Sequence, residues 1–135
     1  MAVKKIILVG EDLCIRREGI AGGAITPGHL VDAVPDGAVT AQTAANAEAQ
    51  RTFAYEREFT GDDIDTAYIS GDTVPYFHAP AGAVVYALGV AAGITAGDLV
   101  ESAAAGEVQT LTSGRAIGRA LETTAAAGRI KIEIL

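Results

Sequence analysis

The sequence has little of what disulfide-stapled, metal-binding or aromatic-rich domains require. Its 135 residues include one cysteine, Cys14, two histidines and no tryptophan, and aromatic residues make up 5% of the chain. One cysteine cannot form an internal disulfide and no zinc-ligand pattern is present, so the fold must rest on packing. The length predicts a single domain with a core large enough to need no covalent or metal support.

Positive charge is missing from the middle of the chain. Between Glu58 and Gly114 there are eight acidic residues and no lysine or arginine, and the net charge of the whole chain is −7. Phosphate binding needs basic side chains along one face, so nucleic acid is disfavoured as a partner of this acidic body. The first seventeen residues are different, because they hold four basic residues. Two interpretations stand for this basic start: contact with an acidic protein surface, or a solvated terminus.

No catalytic, nucleotide-binding or membrane-spanning pattern stands out. His29 and His78 have no nucleophile motif beside them, and the glycines of residues 19–23 do not form a phosphate-binding loop. Residues 79–97 carry no charge but contain a proline and four glycines, which predicts turns and a buried strand and not a membrane span. We therefore predict a protein that is not an enzyme, binds no cofactor and has no membrane partner.

Three aspartates close together raise the question of a cation site. Asp62, Asp63 and Asp65 follow Gly61, and no glutamate closes the loop as an EF-hand requires. A solvated polar turn and a calcium site of another kind both stay open at this stage. We assign no metal ligand.

An internal repeat is the most informative feature that is present. Residues 25–31, Ile-Thr-Pro-Gly-His-Leu-Val, return as residues 94–100, Ile-Thr-Ala-Gly-Asp-Leu-Val, and eight of nineteen aligned positions are identical. This spacing predicts one strand–turn–strand unit used twice, with a partial third copy at residues 69–74. Two unrelated turns are the alternative. Glycine supplies the positive φ that such turns need. The predicted structural turns are at Gly28, Gly71, Gly97 and Gly106.

Strand patterns dominate the remainder. Residues 84–88 read as a buried strand, and residues 129–134 alternate three isoleucines with charged residues, which predicts a final strand paired with residues 115–122. The composition of residues 41–51 permits a helical turn or two. The fold class that follows is mainly β: a compact body of the β-barrel or β-sandwich kind, with little helix.

The chain divides into a short start and a body. Residues 1–23 mix an apolar run with charges and glycines, which suits an extended N-terminal arm or an edge strand, and residues 24–135 form the β-rich domain. If the repeat reflects internal symmetry, Gly28 and Gly97 occupy equivalent turns and the leucines two residues later enter the same core.

The order of several short motifs resembles that of tailed-bacteriophage head decoration, or capsid cement, proteins. The resemblance covers nearly the whole chain. The motifs are Ile-Arg-Arg-Glu-Gly at 15–19, Ala-Ile-Thr-Pro-Gly-His-Leu-Val at 24–31, Ile-Asp-Thr-Ala-Tyr at 64–68, Gly-Asp-Thr-Val at 71–74 and Gly-Asp-Leu-Val at 97–100.

The resemblance implies a non-enzymatic virion protein, made in the host cytoplasm, with a β-tulip type of body. Such a protein binds the outer surface of the head as a homotrimer and stabilises it by bridging major capsid protein subunits. A small β-barrel ligand-binding or accessory domain of a cellular enzyme is the alternative, against which the scarcity of aromatic residues weighs. Our candidate capsid-binding residues are two basic pairs and the apolar run between them: Lys4, Lys5, Ile6, Ile7, Leu8, Val9, Arg16 and Arg17.

Overall fold

Strands make up most of the fold. In a computed structural model of the protein no α-helix is present among the described residues, and no helix there is long and apolar enough to span a membrane. The mainly β fold with little helix is confirmed. The described residues are 5–33, 38–41, 51–56 and 64–135. The elements are β1 (Ile7–Val9), β2 (Ile15–Ala21), β3 (Val31–Ala33), β4 (Ala38–Ala41), β5 (Thr52–Ala54), β6 (Thr73–His78), β7 (Val84–Gly89), β8 (Leu99–Ser102), β9 (Val108–Thr110), β10 (Gly118–Ala120), β11 (Gly128–Ile134) and the 3-10 helices Glu11–Leu13 and Ala104–Gly106.

The strands form two sheets, and each sheet closes or nearly closes on itself. The first has the order β3-β4-β2-β6-β5, and the second has the order β1-β7-β11-β10-β8-β9. A bridge between Leu30 and Phe53 brings the β3 and β5 ends of the first sheet together, and pairing of β7 with β9 closes the second. Each sheet is therefore a small barrel, in agreement with the predicted fold class.

The two barrels share one topology. Strands β2 to β6 of the first barrel correspond in order and pairing to β7 to β11 of the second, and β1 is an additional strand on β7. In the β3–β4 hairpin Val31 lies opposite Ala41, and in the β8–β9 hairpin Val100 lies opposite Thr110. These pairs are 69 positions apart in the chain, the same spacing as the sequence repeat. The repeat is therefore a duplicated five-stranded unit and not a pair of unrelated turns.

Three turns share one geometry, and two of them lie at equivalent places in the two barrels. In residues 26–29, 69–72 and 95–98 the third residue is a glycine, with φ of 94°, 93° and 93°. The N–H of the fourth residue donates to the carbonyl of the first over 3.0 Å in all three turns. Such a turn favours glycine at its third position because other residues are strained there. Gly106, the fourth predicted turn glycine, also has positive φ, at 78°.

The fourth side chain of each turn accepts a hydrogen bond from the first N–H. The acceptors are His29 Nδ1 at 3.1 Å, Asp72 Oδ2 at 3.0 Å and Asp98 Oδ2 at 3.3 Å. An aspartate commonly closes a turn in this way, and an imidazole does so only while that nitrogen is unprotonated. The His-for-Asp exchange within the repeat thus keeps the acceptor and makes one turn sensitive to pH.

We expect acid to destabilise the protein through His29. Burial, and after it the charge of Arg129, lowers the pKa of His29 from its ordinary 6.5. Below that pH the unfolded chain binds a proton that the native state resists, so this contribution to stability is full above pH 6.5 and is lost as the pH falls. One such group changes the free energy of unfolding by at most about 1.4 kcal/mol per pH unit.

Urea unfolding across this pH range measures the effect. His29→Asn is the matched variant, because its side-chain oxygen can accept the same hydrogen bond without titrating. Its free energy of unfolding should depend less steeply on pH than that of the wild type, while burial of His78, whose pKa is also lowered, contributes equally to both. Identical pH dependence in the two proteins would remove His29 as the cause.

The apolar interior consists of two clusters, and the larger draws on both barrels. Leu30 and the aromatic pair Phe53 and Phe77 of the first barrel belong to the same cluster as the interior of the second barrel. Leu99 is half-buried and belongs to neither cluster, so the expectation that both repeat leucines enter one core is wrong. The reason is that the two copies have different surroundings: the Leu30 side of its barrel is covered and the Leu99 side is partly open.

Two of the strands that the sequence predicts are present. Strand β7 matches the predicted buried strand, and in β11 Ile130, Ile132 and Ile134 are at most 1% exposed. Alternation therefore ties the C-terminal strand into the second barrel, as predicted. Its upstream partner is shorter than the predicted 115–122, since β10 spans three residues. Of residues 41–51, for which a helical turn or two was predicted, residues 42–50 lie outside the described residues.

Arg129 connects the two barrels. From β11 its guanidinium donates to the carbonyl of Pro27 and, over 2.5 Å, to that of Ile64, both in the first half of the chain. It also lies 3.2 Å from a carboxylate oxygen of Asp65. The Arg129 side chain is 11% exposed, so these bonds form where water competes little. The single Arg129 guanidinium thus donates hydrogen bonds to two main-chain carbonyls that lie in turns.

The first twenty-three residues are built into the body where they are described. Ile6 and Ile7 are 0% and 2% exposed, and β1 pairs with β7 at an edge of the second sheet. Strand β2 lies between β4 and β6 inside the first sheet. Within residues 5–23, β1 is an edge strand of the second sheet and β2 is an inner strand of the first, so both strands belong to the sheets of the body. The physical reason is that burial of the Ile6 and Ile7 side chains removes apolar surface from water, which stabilises the fold.

Candidate interaction surface

Large exposed apolar side chains gather at the two ends of β2. At its start, Val9, Leu13 and Ile15 are 57%, 69% and 60% exposed and lie within seven consecutive residues; we call them the N-terminal patch. At its end, Ile20 is 51% and Ile69 66% exposed; we call them the turn patch. The 69–72 turn is hydrogen-bonded to Ala21, which places the turn patch at that end of the strand.

A sharp turn between β1 and β2 produces the N-terminal patch. Gly10 has φ of 87° and ends β1, and the 3-10 helix Glu11–Leu13 follows directly. Leu13 N–H donates to the Gly10 carbonyl over 3.0 Å. Leu13 is the last residue of this 3-10 helix, and its side chain is 69% exposed. Strand β2 then runs with four exposed residues before its first half-buried one.

Charged groups beside the N-terminal patch form a network around Glu11. One oxygen of Glu11 accepts from Arg16 at 2.5 Å and from the Tyr55 hydroxyl at 2.6 Å, and the other lies 3.4 Å from the Lys5 ammonium. The Arg16 guanidinium also lies 4.4 Å from the centre of the Tyr55 ring. The Tyr55 hydrogen bond, helped by the two cations, holds the pKa of Glu11 below its usual range. Lys5 and Arg16, two of the predicted capsid-binding residues, are thus paired with Glu11 within the protein.

Arg17 is the exposed cation beside this network. No carboxylate of the described residues lies within ion-pair distance of it, and its charge adds to the effect of burial in lowering the pKa of His78. In β2 it lies opposite Tyr76. Arg17 can therefore meet an external carboxylate without giving up an internal ion pair in the described part of the chain.

The predicted capsid-binding residues separate into exposed and buried groups. Ile6 and Ile7 are in the larger apolar cluster, and Glu56 Oε2 accepts the Ile6 N–H at 3.1 Å. Their side chains are packed inside the body of the protein, at 0% and 2% exposure, so exposure gives no support to their assignment as capsid-binding residues, which stays a prediction. Leu8 is half-buried, and Lys4 lies outside the described residues. The exposed ones are Lys5, Val9, Arg16 and Arg17.

Sequence reasoning missed four exposed apolar residues of the two patches: Leu13, Ile15, Ile20 and Ile69. A signal for two of them, Ile15 and Ile20, was present, because residues 15–20 lack the alternation of a strand with one buried face. Nothing in the sequence marked Ile69. Exposure there depends on the turn being held against Ala21 by hydrogen bonds between distant residues.

The described residues contain no group of three or more His, Cys, Asp or Glu side chains placed to hold a metal ion. Of the three clustered aspartates, Asp62 and Asp63 lie outside the described residues, and Asp65 is engaged by Arg129. Cys14 is half-buried and its thiol lies 3.4 Å from the Gly10 carbonyl. Burial raises the pKa of this thiol, so Cys14 is a packed residue of the β1–β2 turn.

Comparison with known proteins gives a structural match and no sequence match. No family model matches the chain, and no curated protein does. Among solved structures, the crystal structure of the N base of head fiber gp8.5 of bacteriophage phi29 matches with a TM-score of 0.64. The alignment covers 90% of this chain and 94% of that chain, at 13% sequence identity. The likeness shows the fold. It spans nearly the whole of both chains and therefore includes both barrels.

Proposed function

We propose that the protein is a structural component of a bacteriophage head, which binds the outer surface and bridges neighbouring major capsid protein subunits. The observation that carries the proposal is the fold likeness to the base of a phage head fiber over nearly the full length of both chains. A double barrel whose halves share one apolar cluster and are joined by Arg129 suits a structural role, because close packing resists deformation.

The two apolar patches support bridging in particular. Ile15 and Ile20 are five positions apart in the extended strand, which is about 16 Å along β2. Single exposed apolar residues are ordinary on a protein surface, whereas these are grouped at both ends of one strand. Two separate contact regions allow one molecule to touch two neighbouring subunits. We therefore propose that the N-terminal patch and the turn patch contact different subunits.

The homotrimer is part of this proposal. Three joined copies would present each patch three times, and simultaneous contacts raise the apparent affinity far above that of one patch. Sedimentation equilibrium measures the state directly. The expected species has three times the 13.7 kDa of one chain, and a monomer at all concentrations would remove the trimer from the proposal.

Co-sedimentation with expanded phage heads that lack their outer-surface proteins tests the function. Wild-type protein should bind saturably, and Leu13→Glu with Ile15→Glu should weaken binding at least about tenfold, because two apolar contacts are replaced by buried charge. Leu121→Glu is the matched control, since Leu121 is 45% exposed and lies outside both patches. Circular dichroism checks that all variants fold. If the wild type does not bind the heads, the proposed function is contradicted. If all variants bind equally well, the N-terminal patch is not a contact region.

A further inference from the structure

The duplication allows each position of β2 to be compared with its counterpart in β7. Gly22 N–H donates to the β4 strand over 2.9 Å, and Val90 N–H donates to the corresponding β9 strand over 3.1 Å. Gly22 and Val90 are therefore equivalent. Four residues earlier along each strand, Glu18 is equivalent to Tyr86. These two positions differ in what lies beside them.

In the second barrel, the edge at Tyr86 is covered by the protein's own β1. Tyr86 N–H donates to the Ile6 carbonyl over 2.7 Å, and Ile7 lies opposite Val85 in an antiparallel pair. Strand β1 lies on the side of β7 away from β11. The second barrel therefore shows that an added antiparallel strand fits this edge of the fold.

In the first barrel, the backbone of Glu18 points to the same side. Ala21 N–H donates to the Asp72 carbonyl over 2.8 Å, towards β6, and because directions alternate along a strand, Glu18 faces away from β6. Pro75 lies opposite Glu18, and its carbonyl accepts from Tyr55 N–H at 2.9 Å. The Glu18–Pro75 pair is thus a non-hydrogen-bonded pair.

The described strands leave this side of β2 uncovered at Glu18. The described pairing of β2 with β4 joins Ile20 to Ala38 and Ala21 to Val39, and among the described residues no strand takes the place beside Glu18 that β1 takes beside Tyr86. Outward-pointing N–H and C=O groups on a strand edge bind extended segments. The edge at Glu18 lies between the two apolar patches on the same strand.

We propose that the β2 edge at Glu18 binds an extended segment of the partner protein as an added antiparallel strand. The segment is apolar, as β1 is, and carries a carboxylate for Arg17. The chemistry follows from the difference between the two edges: β7 presents Val84 and Val85 to its added strand, whereas the equivalent part of β2 presents arginines and Glu18 beside exposed Ile15. For the identity of the partner, the inference rests on the proposed function.

Amide hydrogen exchange tests the edge in the full-length protein alone. Tyr86 is the internal control, because its N–H is bonded to β1. The Glu18 amide should exchange at least about a hundredfold faster than that of Tyr86, since exchange requires no opening of the sheet. Equal protection of the two amides would overturn the proposal, because it would show that the Glu18 N–H already has a partner.

A peptide tests the chemistry of the added strand. The probe is residues 4–10 of this chain with Lys4→Glu and Lys5→Glu, and the control peptide is the same segment with its natural lysines. The acidic peptide should slow exchange at Glu18 at least about fivefold at saturation, and the basic peptide should bind at least about tenfold more weakly. Arg17→Glu should reverse that order. If neither peptide changes the exchange rate of the Glu18 amide, the proposal of an added strand is overturned. If the two peptides bind with equal affinity, the requirement for a carboxylate beside Arg17 is overturned.

A backbone variant gives an independent check. Glu18→Pro removes the N–H while a strand edge accommodates proline, and Glu18→Ala keeps it. Peptide binding should be lost in Glu18→Pro and retained in Glu18→Ala, and retention in both variants contradicts the proposal. If Glu18→Pro does not fold, the amide exchange of the wild type decides. None of these measurements uses phage heads. If the exchange and peptide measurements fail while the protein still binds heads, only the proposed strand site at Glu18 is wrong. If the peptide binds but the protein does not bind heads, the proposed function is wrong.

Discussion

Gly28→Ala should lower the free energy of unfolding by about 3–6 kcal/mol, whereas the equivalent Gly97→Ala should lower it by about 1–2 kcal/mol. Both glycines have nearly the same positive φ, 94° and 93°, so both variants carry the strain of an L-residue in the left-handed region. The two sites differ in their surroundings. The pair therefore separates backbone strain from tertiary contact.

The extra cost at Gly28 comes from the groups that a methyl would meet. A Cβ there would clash with Arg129 Nη1 and lie 2.7 Å from the Tyr86 carbonyl oxygen, and at Gly97 nothing lies within 4 Å of one. Tyr86 belongs to a strand and cannot move away cheaply, so Arg129 must shift. Its bonds to the carbonyls of Pro27 and Ile64 would then be weakened in a site with little access to water.

Urea unfolding of the wild type and both variants measures the difference. The expected order of stability is wild type, Gly97→Ala and then Gly28→Ala, with the last close to unfolded if the protein has ordinary marginal stability. Equal losses in the two variants would show that Arg129 does not join the barrels tightly. In that case the two copies of the turn would be energetically equivalent as well as similar in shape.

Glu101→Gln should cost about 2–4 kcal/mol although the change is isosteric. Glu101 is 0% exposed, and its carboxylate accepts from Gln109, from the N–H and hydroxyl of Thr112, and from Gly114 N–H. Burial by itself raises the pKa of Glu101, and these hydrogen bonds outweigh it, so the pKa lies below its usual range. An amide presents one oxygen where the carboxylate presents two. At least one of these donors would therefore lose its acceptor.

Glu107→Gln is the control, because it removes the same charge beside the same hairpin from a half-buried position. It should change the free energy of unfolding by less than about 0.5 kcal/mol. The cost of Glu101→Gln should also shrink as the pH falls through the native-state pKa of Glu101, since the wild type then loses its charge too. A small cost at neutral pH would show that the carboxylate is not what holds residues 112–114.

The sequence predicted those parts of the fold that local chemistry decides. Glycine at positive φ with an acceptor side chain next to it fixes a turn in a few residues, so the shared turns were recognisable. Alternating isoleucines fixed β11 in the same way. The duplication of whole barrels was not visible, because β2 and β7 share a backbone path but not a pattern of burial: β2 has exposed residues on both faces, and β7 alternates buried and half-buried ones.

Contacts between distant residues account for what the sequence could not predict. Arg129 bonds a carbonyl 102 positions away and another 65 positions away, and no local pattern marks such an arginine. The apolar run of the N-terminal stretch predicted a strand, but whether a partner or the body covers it depends on the second barrel. The turn patch also depends on contacts between distant residues, because hydrogen bonds to Ala21 place the 69–72 turn at the end of β2.

Cryo-electron microscopy of expanded phage heads incubated with the protein tests the central claim most directly. The account predicts density for the double barrel on the outer surface, with the ends of β2 touching two different major capsid protein subunits and an added strand along β2 at Glu18. Heads without such density at saturating protein, or density attached through the surface opposite β2, would contradict it.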